Sequence, residues 1–205
     1  MTRPTRPRKR RSKNELVRDV AAAREERAVE LWAMDEHRVS LKPILRRVWA
    51  RKGQRPVVRV RPRYEWLYVY AFVQPETGET EFWLAPYVNT ETFGAIVRAF
   101  LRRRQEAVML VLDQAGWHVS EGALALESEA LRLKHLPSYS PELQPAERLW
   151  SLTDAPLANR VFERLSDLEA ALAERCVAVT CEAERVRSLT LYHWWPGGAD
   201  HIATH

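Results

Sequence analysis

Ala107-Val108-Met109-Leu110-Val111-Leu112-Asp113 is a short, continuously apolar run that ends on a carboxylate. A run with no hydrophilic face predicts a strand buried on both sides, as parallel strands are when helices cover the sheet. Upstream, Tyr64-Glu65-Trp66-Leu67-Tyr68-Val69-Tyr70-Ala71-Phe72-Val73 is rich in β-branched and aromatic residues and predicts another strand. Pro75-Glu76-Thr77-Gly78 supplies a turn, and Thr80-Glu81-Phe82-Trp83-Leu84 returns to complete a hairpin. Behind Thr90, a natural cap, Phe93, Ile96, Val97, Phe100 and Leu101 share one helical face, so a helix is expected to about Glu106. Val29-Glu30-Leu31-Trp32-Ala33-Met34 reads as a strand ending at Asp35. A helix near 120–129, a strand near 131–136, and helices near 145–153 and 166–186 follow, the last capped by Ser166. The order of strand, hairpin, helix, buried strand, helix, strand and helices predicts an α/β fold with a mixed five-stranded sheet flanked by helices.

At 205 residues, 46% of them hydrophobic and 29% charged, the chain can build one domain with a full-sized core. No stretch approaches the ~20 consecutive apolar residues of a membrane span, and the Arg- and Pro-rich N-terminus lacks the apolar segment of a signal peptide. A cytoplasmic location, at the nucleoid, is expected. Cys176 and Cys181 lie on different faces of an expected helix and are read as plain buried or half-buried thiols. The net charge is +5, yet Arg3, Arg6, Arg8, Lys9, Arg10, Arg11 and Lys13 put seven positive charges in the first thirteen residues, leaving the remainder near −2. This basic, disordered arm (residues 1–14) is read as an anchor for a polyanion, or else as a solvated tail. A helix over 15–28 follows it.

Three carboxylates stand at element boundaries. Asp35 and Asp113 close apolar runs, and Glu147 opens a helical pattern with 33 residues between it and Asp113. Side chains at the carboxyl ends of neighbouring strands converge on one crevice. Three acids there would suit hard divalent cations, which would keep them ionised against their mutual repulsion. Taken singly, each is also an ordinary turn or first-helical-turn residue.

Leu136-Pro137-Ser138-Tyr139-Ser140-Pro141-Glu142-Leu143-Gln144-Pro145-Ala146-Glu147-Arg148-Leu149-Trp150 resembles the signature loop and helix of mariner-type DDE transposases, in their bacterial insertion-sequence branch. Leu112-Asp113-Gln114-Ala115-Gly116-Trp117-His118 is similar to the stretch around that family's second acid, and Asp35-Glu36 to the pair that holds its first. Gln144 stands where the family usually has Asn, a longer amide expected to be tolerated. The resemblance runs over about 29–190, leaving 191–205 as a C-terminal tail. It implies a ribonuclease H-like fold, with Asp35, Asp113 and Glu147 as catalytic residues and ligands of two Mg²⁺ ions, Mn²⁺ substituting. It also implies hydrolysis at transposon ends and attack of the freed 3′-hydroxyl on target DNA, commonly at TA.

Arg8, Lys9, Arg10 and Arg11 of the arm, Arg46, Arg47 and Lys52 of a second basic cluster, and His118 are the expected DNA contacts. The second cluster also reads as a solvated face, and His118, five residues after Asp113, also as a positioning residue or as a core or capping histidine. Only 34 residues precede Asp35, too few for the family's helix-turn-helix domains. A homodimer, or a partner carrying those domains, is therefore expected on double-stranded DNA. A simpler ribonuclease H-like nuclease and a non-catalytic DNA-binding or dimerising fragment are the other readings the residues allow.

Overall fold

The computed structural model describes residues 6–45, 51–53 and 64–198, with side chains from Lys9 onward. Its strands are β1 (Val29–Ser40), β2 (Trp66–Gln74), β3 (Glu79–Ala85), β4 (Ala107–Leu112) and β5 (Leu131–His135). They form one sheet in the order β3-β2-β1-β4-β5. β1, β2 and β3 pair antiparallel, while β4 runs parallel to both β1 and β5. The hairpin turns at Gly78, whose φ is 79° and where an added Cβ would fall 1.9 Å from Ala183 O, so only glycine fits. Val108 to Leu112 are all buried, as their unbroken apolar run requires.

The two-residue period of β1 divides the core. Leu31 and Ala33 face α1 (Arg6–Glu26), α5 (Leu165–Thr180) and α6 (Ala183–Thr190), packing with Leu16, Val20, Leu172 and Val186. Trp32 and Met34 face α2 (Thr90–Leu101), packing with Phe93, Val97 and Phe100. Phe72 stacks on Phe100 at 4.1 Å, a ring contact worth about 0.5–1.5 kcal/mol beyond its buried area. By the same alternation Asp35 falls on the face of Leu31 and Ala33, and Glu36 on the face of Trp32 and Met34.

Several sequence expectations are corrected. Residues 6–14 are not a disordered arm, because α1 already begins at Arg6. Pro7 sits in the first turn, where a missing N–H costs nothing. Arg11 pairs with Glu15 at 2.8 Å and Lys9 with Glu142, which lessens the repulsion among the cations. β1 does not end at Asp35 but continues to Ser40, since its pairing with β2 runs on from Ala33↔Val73 to Ser40↔Trp66. α2 ends at Leu101 and is capped by Asn89, whose side chain accepts from Thr92 N at 2.8 Å. The helix near 120–129 is a single turn, α3 (Glu121–Leu124), capped by Ser120. The helix expected from 145 starts as a 3-10 turn, Pro145–Leu149, and becomes α4 (Trp150–Asp154). Ser166 is not a cap, for α5 starts at Leu165, and the helix expected to 186 breaks at Cys181 before α6. Residues 191–198 are no loose tail: Trp195 is buried in the core. Cys176 is buried, whereas Cys181 is exposed. Among the described residues no helix is long and apolar enough to cross a membrane.

Candidate active site

β1 and β4 are in register from Val29↔Ala107 to Ala33↔Val111. Continued by two residues, that register sets Asp35 beside Asp113, on the sheet face that also receives the Pro145–Leu149 turn. Asp35 lies within a strand paired to β2, whereas Asp113 lies just past the end of β4. Glu147 comes from the turn, whose position is fixed by Leu149 and Ala146, both buried. All three carboxylates line one cleft of about 380 Å³, walled by the loop from Leu136 to Pro141.

Pro137, Pro141 and Pro145 stiffen that loop, and three tethers hold it. Gln114 Nε2 donates to Leu136 O at 2.9 Å, and Ser138 Oγ donates to Gln114 Oε1 at 2.6 Å. Gln144 Nε2 donates to Met34 O at 2.9 Å, joining the loop to β1 next to Asp35. Tyr139, 56% exposed, holds a left-handed φ of 56° at the mouth of the cleft, where a non-glycine residue is uncommon.

The electrostatics are those of crowded acids. Asp35 is only 9% exposed, and burial, then the charges of Glu147 and Glu36, push its carboxyl well above the ordinary range, against a stabilising bond from Glu36 N at 2.9 Å. Burial also raises Glu147, and Asp113 adds to it, while His37 and a hydrogen bond from Asp35 pull it down. Asp113 differs: burial raises it, but hydrogen bonds from His118 and Ala115 N outweigh that and hold it below the usual value.

His118 has no exposed surface. Its Nδ1 donates to Asp113 Oδ1 at 2.7 Å and its Nε2 to Glu36 Oε1 at 3.0 Å. Burial works against its charge, but the two carboxylates push its pKa up to about 9. The expected DNA contact at His118 is therefore corrected, because both ring nitrogens are occupied inside the protein. His37 accompanies Glu147, with its ring stacked on Trp150 at 4.9 Å and its Nε2 3.1 Å from Asp154 Oδ1.

Of the other expected contacts, Lys9 pairs with Glu142 of the Pro-rich loop, Arg10 is exposed on α1, and Arg11 lines a hollow with Gln114, His135 and Pro137. The start of α1 thus lies beside the cleft. The side chain of Arg8 lies outside the described residues, as do Arg46 and Arg47; Lys52 is exposed in the turn at Gly53. The sequence reading missed the parts played by Glu36, His37 and Gln144. The period of β1 alone would have set Glu36 opposite Asp35; nothing local marks His37.

The donor set suits a hard divalent cation. It is all carboxylate oxygen, two of the acids carry proton affinity raised first by burial and then by neighbouring carboxylates, and Gln144 Oε1 is buried at the same cleft without a hydrogen-bond partner. Among the described residues no three His, Cys, Asp or Glu side chains are already gathered closely enough to hold a metal ion.

Residues 30–169 match the family model described as DDE superfamily endonuclease. The uncharacterized protein y4pE/y4sA of Sinorhizobium fredii is 29% identical over 132 residues, 63% of this chain and 96% of that protein. The catalytic domain of Mos1 mariner transposase superposes with a TM-score of 0.61 at 16% identity, over 97% of this chain and 96% of that one. A Mos1 mariner paired end complex with Mn superposes with a TM-score of 0.66 at 18% identity, over 99% of this chain and 65% of that one. At these identities the likeness is one of fold, and the fold is ribonuclease H-like. The chain spans less than two thirds of the longer Mos1 chain.

Proposed function

We propose, from the premise that this chain belongs to the DDE superfamily endonuclease family, that it is the catalytic unit of a DNA transposase. The observation that carries the reading is the convergence of Asp35, Asp113 and Glu147 on one cleft from three different elements. Asp35 and Glu147, with Asp113 through its outward oxygen, would hold two Mg²⁺ or Mn²⁺ ions, which supply an activated attacking oxygen and neutralise charge on the leaving one. The protein's own work is positioning. Asp35 is fixed by a paired strand, Glu147 by a turn tied to that strand through Gln144, and the Pro-rich loop keeps the wall of the cleft rigid. Hydrolysis at a transposon end frees a 3′-hydroxyl, and the same cleft then presents that hydroxyl to target DNA without a covalent enzyme intermediate.

The partner is double-stranded DNA. Lys9, Arg10 and Arg11 on α1 lie beside the Pro-rich loop and are suited to contact phosphates entering the cleft, with Arg8, Arg46, Arg47 and Lys52 as further contacts. A second copy of this chain, or a partner carrying helix-turn-helix domains, joins it on the DNA.

The test is incubation of the chain with Mg²⁺ or Mn²⁺ and an end-labelled duplex, beside a Glu147→Gln control. Metal-dependent cleavage and joining that the control abolishes are expected. Absence of any such product would overturn the enzymatic reading, and cleavage with no joining under any DNA geometry would reduce it to a nuclease.

A further inference from the structure

Asp113 is gripped from behind. Its Oδ1 accepts twice, from His118 Nδ1 at 2.7 Å and from Ala115 N at 2.9 Å. The far side of the imidazole is gripped in turn: Glu36 Oε1 accepts from His118 Nε2 at 3.0 Å and from Trp117 Nε1 at 3.1 Å. The Glu36 side chain is only 5% exposed, and Phe93 packs on the His118 ring at 4.8 Å, so neither group is free to swing. Glu36 comes from the α2 side of the sheet and Asp113 from the other, and His118 passes around the end of β4, at Leu112, to join them.

We propose that Glu36 and His118 are positioning residues that make Asp113 a one-oxygen metal ligand. With Oδ1 saturated, Oδ2 is the oxygen left for a cation, and the half-exposed carboxylate cannot rotate to chelate through both. The adjacent acids of β1 thus divide their work: Asp35 enters the cleft, while Glu36 acts from the opposite face through His118. Outer partners of this kind orient a ligand and raise its affinity for the ion. The proposal rests on the reading of Asp113 as a metal ligand, and its test separates the two.

Mn²⁺ binding to the full chain is followed by loss of the free-ion electron paramagnetic resonance signal, for wild type, Asp113→Asn, Glu36→Gln, His118→Gln and Phe100→Leu. Phe100→Leu perturbs the same apolar layer without touching the relay. Glu36→Gln and His118→Gln are expected to weaken Mn²⁺ binding about 10–100-fold, with cleavage recovering to near wild type at saturating Mn²⁺. Phe100→Leu is expected to lower the melting temperature and leave Mn²⁺ affinity unchanged. Wild-type Mn²⁺ affinity in a folded Glu36→Gln chain, alongside its loss in Asp113→Asn, would overturn the relay and spare the metal reading. Equal binding by wild type and Asp113→Asn would remove Asp113 as a ligand, and the relay with it. Should His118→Gln fail to fold, Glu36→Gln, which keeps the shape of the side chain, carries the test.

Discussion

Gln144 Nε2 and Met34 O, 110 residues apart in the chain, meet at 2.9 Å and couple the element that bears Glu147 to the strand that bears Asp35. Gln144→Ala breaks that coupling and strips a buried carbonyl of a donor. Such a loss costs about 1–3 kcal/mol, and the low end is expected because the variant also removes the unpartnered Gln144 Oε1. Urea unfolding measures the change. Mn²⁺ affinity should fall with it, as Glu147 loses its fixed distance to Asp35.

Cation binding should strengthen with pH. Asp35 and Glu147 both have raised pKa values, so a cation must displace protons from them. If each ion releases one proton, apparent affinity rises about tenfold per pH unit through that window. Calorimetry in buffers of different ionisation enthalpy counts the protons. The metal-free chain has the opposite trend: a carboxyl whose folded pKa is raised contributes full stability below its unfolded pKa of about 3.9 and loses it as pH climbs through the folded one. Melting temperature without metal should therefore fall across that range, and added Mn²⁺ should restore it.

The two thiols should react unequally. Burial pushes Cys176 up to about 12, while Cys181 is exposed. One equivalent of iodoacetamide per folded chain is expected at pH 8, at Cys181, and two in urea; mass spectrometry identifies the residue. Rapid labelling of both in the native state would contradict the packing of α5.

Basic residues on α1 should set the salt dependence of DNA binding. Replacing Arg10 and Arg11 by Ala removes two phosphate contacts, so the slope of log affinity against log salt should shrink by about 1.8. Fluorescence anisotropy with a labelled duplex reads it. An unchanged slope would place α1 away from the DNA.

The sheet was legible because its signals are local. Val108 to Leu112 have no polar face, and the Tyr64–Val73 and Thr80–Leu84 runs flank a Gly-containing turn, so strand number and order followed directly. The limits of helices were harder. α1 starts at Arg6 because contacts with Glu15 and Glu142 compensate its cations, and Glu142 is 133 residues from Lys9. The break at Cys181 carries neither Gly nor Pro. At the cleft, the three acids were readable from their neighbours and from the Pro-rich loop. For His118 the residues left a DNA contact and a core histidine both open, because its burial depends on Phe93 and Glu36, brought in by two separate segments beside its neighbour Trp117. Asp35 at a strand end was a fair reading of an apolar run that stops there, but pairing with β2 carries the strand past it.

Anomalous diffraction from crystals of this chain grown with Mn²⁺ tests the central claim most directly. Manganese peaks are expected within coordination distance of Asp35, Asp113 Oδ2 and Glu147, with Asp113 Oδ1 still bonded to His118. Crystals in which manganese avoids this cleft, or in which Glu147 takes no part in holding it, would contradict the account.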